Sequence, residues 1–147
     1  MFRASQGLDL KVVWYDEDLL EVQLTVSNGQ FAGEASFYTT PEQLQGSANH
    51  LDGFPSNASD SREFELGSLD FEPNSMGGAK FKFTCIDSCG HLALTVSIAG
   101  SPRRSQATTD SALITIQTEP AEIDSFVSGL RNLGPSLGAL AELRQAT

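Results

Sequence analysis

Polar and apolar side chains alternate strictly over Leu20–Ser27: Leu20, Val22, Leu24 and Val26 are interleaved with Glu21, Gln23, Thr25 and Ser27, and Asn28-Gly29 follows at once. Period-two alternation predicts a strand buried on one face, and Asn-Gly is a strong signal for a two-residue hairpin turn. Counting back from that turn pairs Val26 with Phe31, Leu24 with Gly33, Val22 with Ala35 and Leu20 with Phe37. The apolar set then shares the inner face, while Glu21, Gln23, Thr25, Glu34, Ser36 and Tyr38 share the wet one. Gly33 and Ala35 would leave a shallow inner groove in which a helix could pack closely. Upstream, Leu10–Trp14 reads as a first strand ended by Tyr15-Asp16-Glu17-Asp18.

Thr40-Pro41-Glu42-Gln43 has a Thr N-cap, proline at the first helical position and glutamine three residues after the cap, the pattern of a capping box. Leu44, Ala48 and Leu51 recur at helical spacing and Gly53-Phe54-Pro55 supplies a stop, so a helix is predicted over 41–52. Glu63–Leu66 alternates as a short strand, and Pro73–Gly78 reads as a turn. A second hairpin sets Phe81, Phe83 and Cys85 opposite Leu92, Leu94, Val96 and Ile98, joined through a type I turn over Asp87-Ser88-Cys89-Gly90. Gly100–Thr109 is a polar loop. A last strand runs over Ser111–Thr118 with Ala112, Ile114 and Ile116 inward. A helix opening at Glu119-Pro120 carries Ile123, Phe126, Val127, Leu130 and Leu133 on one stripe, and Gly134-Pro135 ends it.

These elements predict an α+β fold in one domain over 1–133: an antiparallel, mostly meander sheet of about six or seven strands with two main helices on one face. Residues 134–147 form a C-terminal extension in which Leu137, Leu140 and Leu143 suit a third short helix. A chain of 147 residues is long enough to bury a core without staples.

Charge narrows the function. The formal net charge is −10, which disfavours phosphate backbones and anionic membranes as partners. No apolar stretch reaches secretory or membrane-spanning length, so a cytoplasmic protein is expected. Between Lys11 and Arg62 there is no basic residue, while Asp16, Glu17, Asp18, Glu21, Glu34, Glu42, Asp52 and Asp60 all fall there. Such a field can steer a basic protein partner, and Trp14, Tyr15 and Tyr38 beside it would supply anchors.

The chemistry-bearing residues are sparse. Cys85 points inward on the predicted hairpin and Cys89 sits at its turn tip, too far apart for a disulfide, and a four-ligand metal site would need every Cys and His in the chain. No metal and no cofactor is expected. Asp87 and His91 face each other across the turn and are expected to fix its conformation rather than to catalyse. The sequence has no G-x-S-x-G, H-E-x-x-H, Walker A or G-x-G-x-x-G pattern.

The order of elements, with Phe31-x-Gly33, Phe37-Tyr38, Leu51-x-x-Phe54, Phe83-x-x-x-Asp87-x-x-Gly90-His91 and Glu119-x-x-x-Ile123-x-x-Phe126-x-x-x-Leu130, resembles the WapI-like immunity proteins and their uncharacterised bacterial relatives. The resemblance spans about residues 8 to 133. It implies a bacterial cytoplasmic protein that neutralises a cognate toxin by binding it and without a reaction of its own; the acidic first half adds that this toxin, or another partner protein, is basic. The alternatives from other classes are a small-molecule binding module with its ligand between sheet and helices and, behind it, an enzyme of unknown type using His91 and Asp87. The extension could also join two copies in a homodimer.

Overall fold

Period-two segments become strands and the two capped amphipathic segments become helices, in the order β1 Gly7–Tyr15, β2 Leu20–Ser27, β3 Ala32–Thr39, α1 Pro41–Leu51, β4 Ser61–Gly67, β5 Gly78–Cys85, β6 Leu92–Ala99, β7 Ser111–Thr118, α2 Pro120–Asn132 and β8 Leu140–Arg144. This computed structural model describes residues 6–69, 77–100 and 110–146. Residues 73–76 of the predicted Pro73–Gly78 turn and residues 101–109 of the predicted Gly100–Thr109 loop lie outside the described residues, and Gly78 opens β5. The fold is α+β, but the strands form two four-stranded antiparallel sheets rather than one meander, ordered β3-β2-β1-β8 and β4-β5-β6-β7.

Both sheets turn their apolar faces to one core. Leu8, Leu10, Val22 and Leu24 of the first sheet and Phe81, Phe83, Leu94 and Ile116 of the second are all fully buried. Each such side chain stabilises the fold by roughly 1.5–3 kcal/mol relative to exposure. Helix α2 joins the layers: Phe126 lies 6.4 Å and 6.5 Å from the rings of Phe81 and Phe83. On its other side Gly129 meets Ala141 of β8 so closely that a Cβ there would sit 2.9 Å from the Ala141 Cα. Helix α1 packs on α2 and on β4.

Three of the four edge strands, β4, β7 and β8, are met by side chains or loops, as unpaired strand edges invite foreign pairing. Gln43 of α1 lies along β4, accepting from Gly67 N at 3.3 Å and donating to Glu65 O at 3.3 Å. Beside β7, Asn28 Nδ2 donates to Thr115 O at 3.1 Å and Ala146 N to Gln117 O at 2.8 Å. At β8, the Arg144 backbone N–H donates to the Glu122 carboxylate at 2.7 Å.

Four expectations need correction. The first hairpin pairs Val26 with Gly33, Leu24 with Ala35 and Val22 with Phe37, two residues away from the predicted register. Asn28 Oδ1 accepts from Gln30 N and Phe31 N, and Asn28 N donates to Phe31 O, closing a four-residue loop. A two-residue type I′ turn needs positive φ at both central residues, and here only Gly29 has it. Phe31 is consequently exposed. Second, the groove at Gly33 is filled by Ile98 and Ile114 of the second sheet, not by a helix. Third, Ala112 is exposed, while Ile114 and Ile116 are buried. Fourth, the expected third helix is strand β8. Ala141 pairs with Leu10 and Leu143 with Leu8, because the open edge of β1 offers a full ladder of hydrogen bonds that a short helix could not match.

Candidate protein-binding face on the first sheet

Trp14 reaches the outer face of the first sheet through a bulge. In β1 the residues Leu8, Leu10 and Val12 point inward, and simple alternation would turn Trp14 inward as well. Instead the register slips between Val12 and Trp14: Val12 pairs with Val22, Val13 is the extra residue, and Trp14 pairs with Glu21. An extra residue of this kind re-aims the side chains that follow it. Glu21 in turn pairs with Tyr38, so Trp14, Glu21 and Tyr38 form one row across three strands. The outer strands of such a trio are about 10 Å apart, yet the Trp14 and Tyr38 rings stand 6.1 Å apart and nearly perpendicular, at 87°. The two side chains therefore lean toward each other over Glu21.

The loop that follows adds charge. Asp16 Oδ1 accepts from the backbone N–H groups of Asp18 and Leu19, both at 2.8 Å, and these bonds hold its carboxyl below the usual carboxylate range. Asp16 therefore shapes the loop, while Glu17 and Asp18 are left projecting into solvent. The structure thus gathers Trp14, Tyr15, Asp16, Glu17, Asp18, Glu21 and Tyr38 at one end of the sheet. It does not bring Glu34 into that group: Glu34 lies two rows along the same face, beyond the row of Lys11, Gln23 and Ser36. In its own row Asp9 and the neighbouring Glu142 are both paired to Arg144.

Sequence reasoning named Trp14 and Tyr15 but missed the rest of the apolar component. Val13, Trp14, Tyr15, Leu19, Leu137 and Leu140 are exposed large apolar side chains around the same end of the sheet. Leu137 and Leu140 arrive there because Gly138 N donates to Val12 O and Val12 N to Ala139 O, which zips the last strand onto the bulged end of β1. Val13 and Leu19 could have been noticed as apolar residues out of phase with the alternation. Leu137 and Leu140 could not, because a helical reading hides them in the core. The remaining acidic residues of the first half lie elsewhere. Asp60 is paired with Arg62 and Asp52 with Arg131, and Glu42 sits in the first turn of α1.

The other singled-out group is the β5–β6 turn. Asp87 Oδ1 accepts from Cys89 N at 2.7 Å, and Asp87 Oδ2 lies 2.6 Å from His91 Nδ1. The bond to the imidazole, followed by that to Cys89 N, holds the Asp87 carboxyl below its ordinary value. Gly90 has φ +87°, which favours glycine at the end of the turn. Asp87, Ser88 and Gly90 line an open cleft of about 240 Å³ with Cys85 and Pro55, and both Asp87 and His91 are exposed. Cys85 and Cys89 are both free thiols. Cys85 is only half-buried, its Sγ 3.6 Å from Asn57 O, because it closes the sheet at the cleft rather than in the core centre.

Comparisons of the chain with protein-family models, with curated proteins and with solved structures returned no match. Among the described residues no helix is long and apolar enough to cross a membrane.

Proposed function

We propose that this chain is a non-catalytic bacterial binding protein of the immunity type, which neutralises a basic partner protein through the bulged end of its first sheet. The observation that supports this most is the gathering at one end of the sheet of exposed apolar side chains, Val13, Trp14, Leu19 and Leu140, with the carboxylates of Glu17, Asp18 and Glu21, while Tyr15, paired with buried Leu20, stands on the other side of the strand. An apolar centre with a polar rim is the anatomy of a protein interface, and tryptophan and tyrosine are favoured anchors in it. Glu17, Asp18 and Glu21 outnumber Lys11 on this face, so the partner surface that suits it is basic. A two-fold contact with a second copy would set this acidic rim against itself, which disfavours a homodimer through the same face.

The test is association with the product of the adjacent gene, measured at low and high salt. Steered binding should slow about tenfold or more between about 50 mM and 300 mM salt, and the double variant Glu17→Lys/Asp18→Lys should lose most of that dependence. Neither residue shapes the loop, so the variant should melt like the parent. Absence of any basic neighbour that binds, or unchanged association of the reversed variant, would remove the reading.

A further inference from the structure

Glu21 occupies an unusual position on this face. It is half-buried, flanked on one strand by Trp14 and on the other by Tyr38, and its carboxylate makes no hydrogen bond or ion pair among the described residues. Lys11, one row away on the same face, forms no ion pair with it. Two perpendicular rings 6.1 Å apart make a corner on this face, and Glu21 lies between their strands in the same row. A π-face attracts a cation, and a carboxylate accepts a forked pair of N–H bonds from a planar guanidinium. Of the natural side chains, arginine meets both requirements: its plane stacks against a ring while its fork reaches the acid, whereas the compact, strongly hydrated lysine ammonium does neither as well.

We propose that the corner formed by Trp14, Glu21 and Tyr38 is an arginine-receiving subsite, the anchor point for one arginine side chain of the partner. This rests on the binding face described above and names what that face grips.

Trp14 is the single tryptophan of the chain, so its fluorescence reports on this corner alone. The probe is the tripeptide acetyl-Gly-Arg-Gly-amide, titrated into the full-length protein, with its citrulline and lysine counterparts as controls. The arginine peptide should change Trp14 emission saturably in the millimolar range. The citrulline peptide should leave it unchanged, and the lysine peptide should bind at least about threefold more weakly. Glu21→Gln should weaken the arginine response at least about fivefold, and Tyr38→Ala should weaken it too, while Tyr38→Phe, which keeps the π-face, should not. A matching response from citrulline or lysine, no saturable response, or an unaltered response in Glu21→Gln would overturn the assignment. The two readings fail separately. Arginine binding in the corner with no effect of Glu17→Lys/Asp18→Lys on partner association removes the face, and the reverse pattern removes the corner alone.

Discussion

Asp60 organises the approach to β4 by itself. Its Oδ2 accepts from Ser56 N at 2.8 Å, from Ser56 Oγ at 3.0 Å and from the Arg62 guanidinium at 2.8 Å. The same guanidinium reaches the carbonyls of Asp52 and His50, tying the end of α1 to the strand. The bond from Arg62, then that from Ser56 N, lowers the Asp60 carboxyl from 3.8 to about 2. A carboxyl that holds its proton less tightly when folded stabilises the fold above its unfolded pKa. That contribution is lost as pH falls from about 4 toward about 2. Asp60→Asn should therefore melt lower than the parent at pH 7, and the gap between the two should close across that acid window. A gap that stays constant down to pH 2 would show that the carboxylate's charge is not what matters. In the sequence Arg62, two residues on, already set Asp60 apart from Glu17, which is flanked by Asp16 and Asp18; the tie from Arg62 back to the end of α1 was not legible there.

At the scale of elements, Gln43 shows how a correct local signal can carry a different meaning. The Thr40 cap forms as predicted, with its Oγ1 accepting from Gln43 N at 3.1 Å. The glutamine side chain does not turn back to complete the box. Its Oε1 accepts from Thr39 Oγ1 and Gly67 N while its Nε2 donates to Glu65 O, so it stands in for a missing neighbour of β4. Gln43→Met, similar in length but without polar atoms, should cost about 1–3 kcal/mol by leaving these groups unpaired. Urea unfolding would measure it, and a loss no larger than a few tenths would show that water replaces the glutamine freely. The first hairpin carries a related lesson. A slip of two residues returns every side chain to its own face, so alternation alone fitted both registers. The backbone at Asn28 decided between them.

For the molecule as a whole, the tail is a structural strand. Ala141 and Leu143 are buried in the core, and β8 covers both the edge of β1 and the Gly129 face of α2. Removing 134–147 deletes these side chains and bares Leu8 and Leu10. Losing one buried leucine alone costs about 2–5 kcal/mol, against a total of about 5–15 kcal/mol for an ordinary domain. The chain ending at Leu133 should therefore lose its cooperative thermal transition. A sharp transition within a few degrees of the full-length protein would show instead that the strand is dispensable. Truncation would also take away Leu137 and Leu140, so the proposed binding face and the stability of the sheet share one segment.

The sequence by itself determined which residues of β2, β5 and β6 face inward, both helices with their starts and stops, the β5–β6 hairpin with its Asp87–Gly90 turn, and the concentration of carboxylates before Arg62. Each is a local property, carried by side-chain period or by the φ demands of a turn. Only the tertiary structure decided that the strands divide between two sheets and that the tail pairs with β1. It also decided that a bulge at Val13 turns Trp14 outward over Glu21, and that Leu137 and Leu140 join the same surface. These depend on which edge is left unpaired and what can reach it, and a strand edge has no signature in the residues that form it. Leu137 and Leu140 stand beside the acidic loop because of contacts made more than a hundred residues along the chain from it, between Val12 and the Gly138–Ala139 segment.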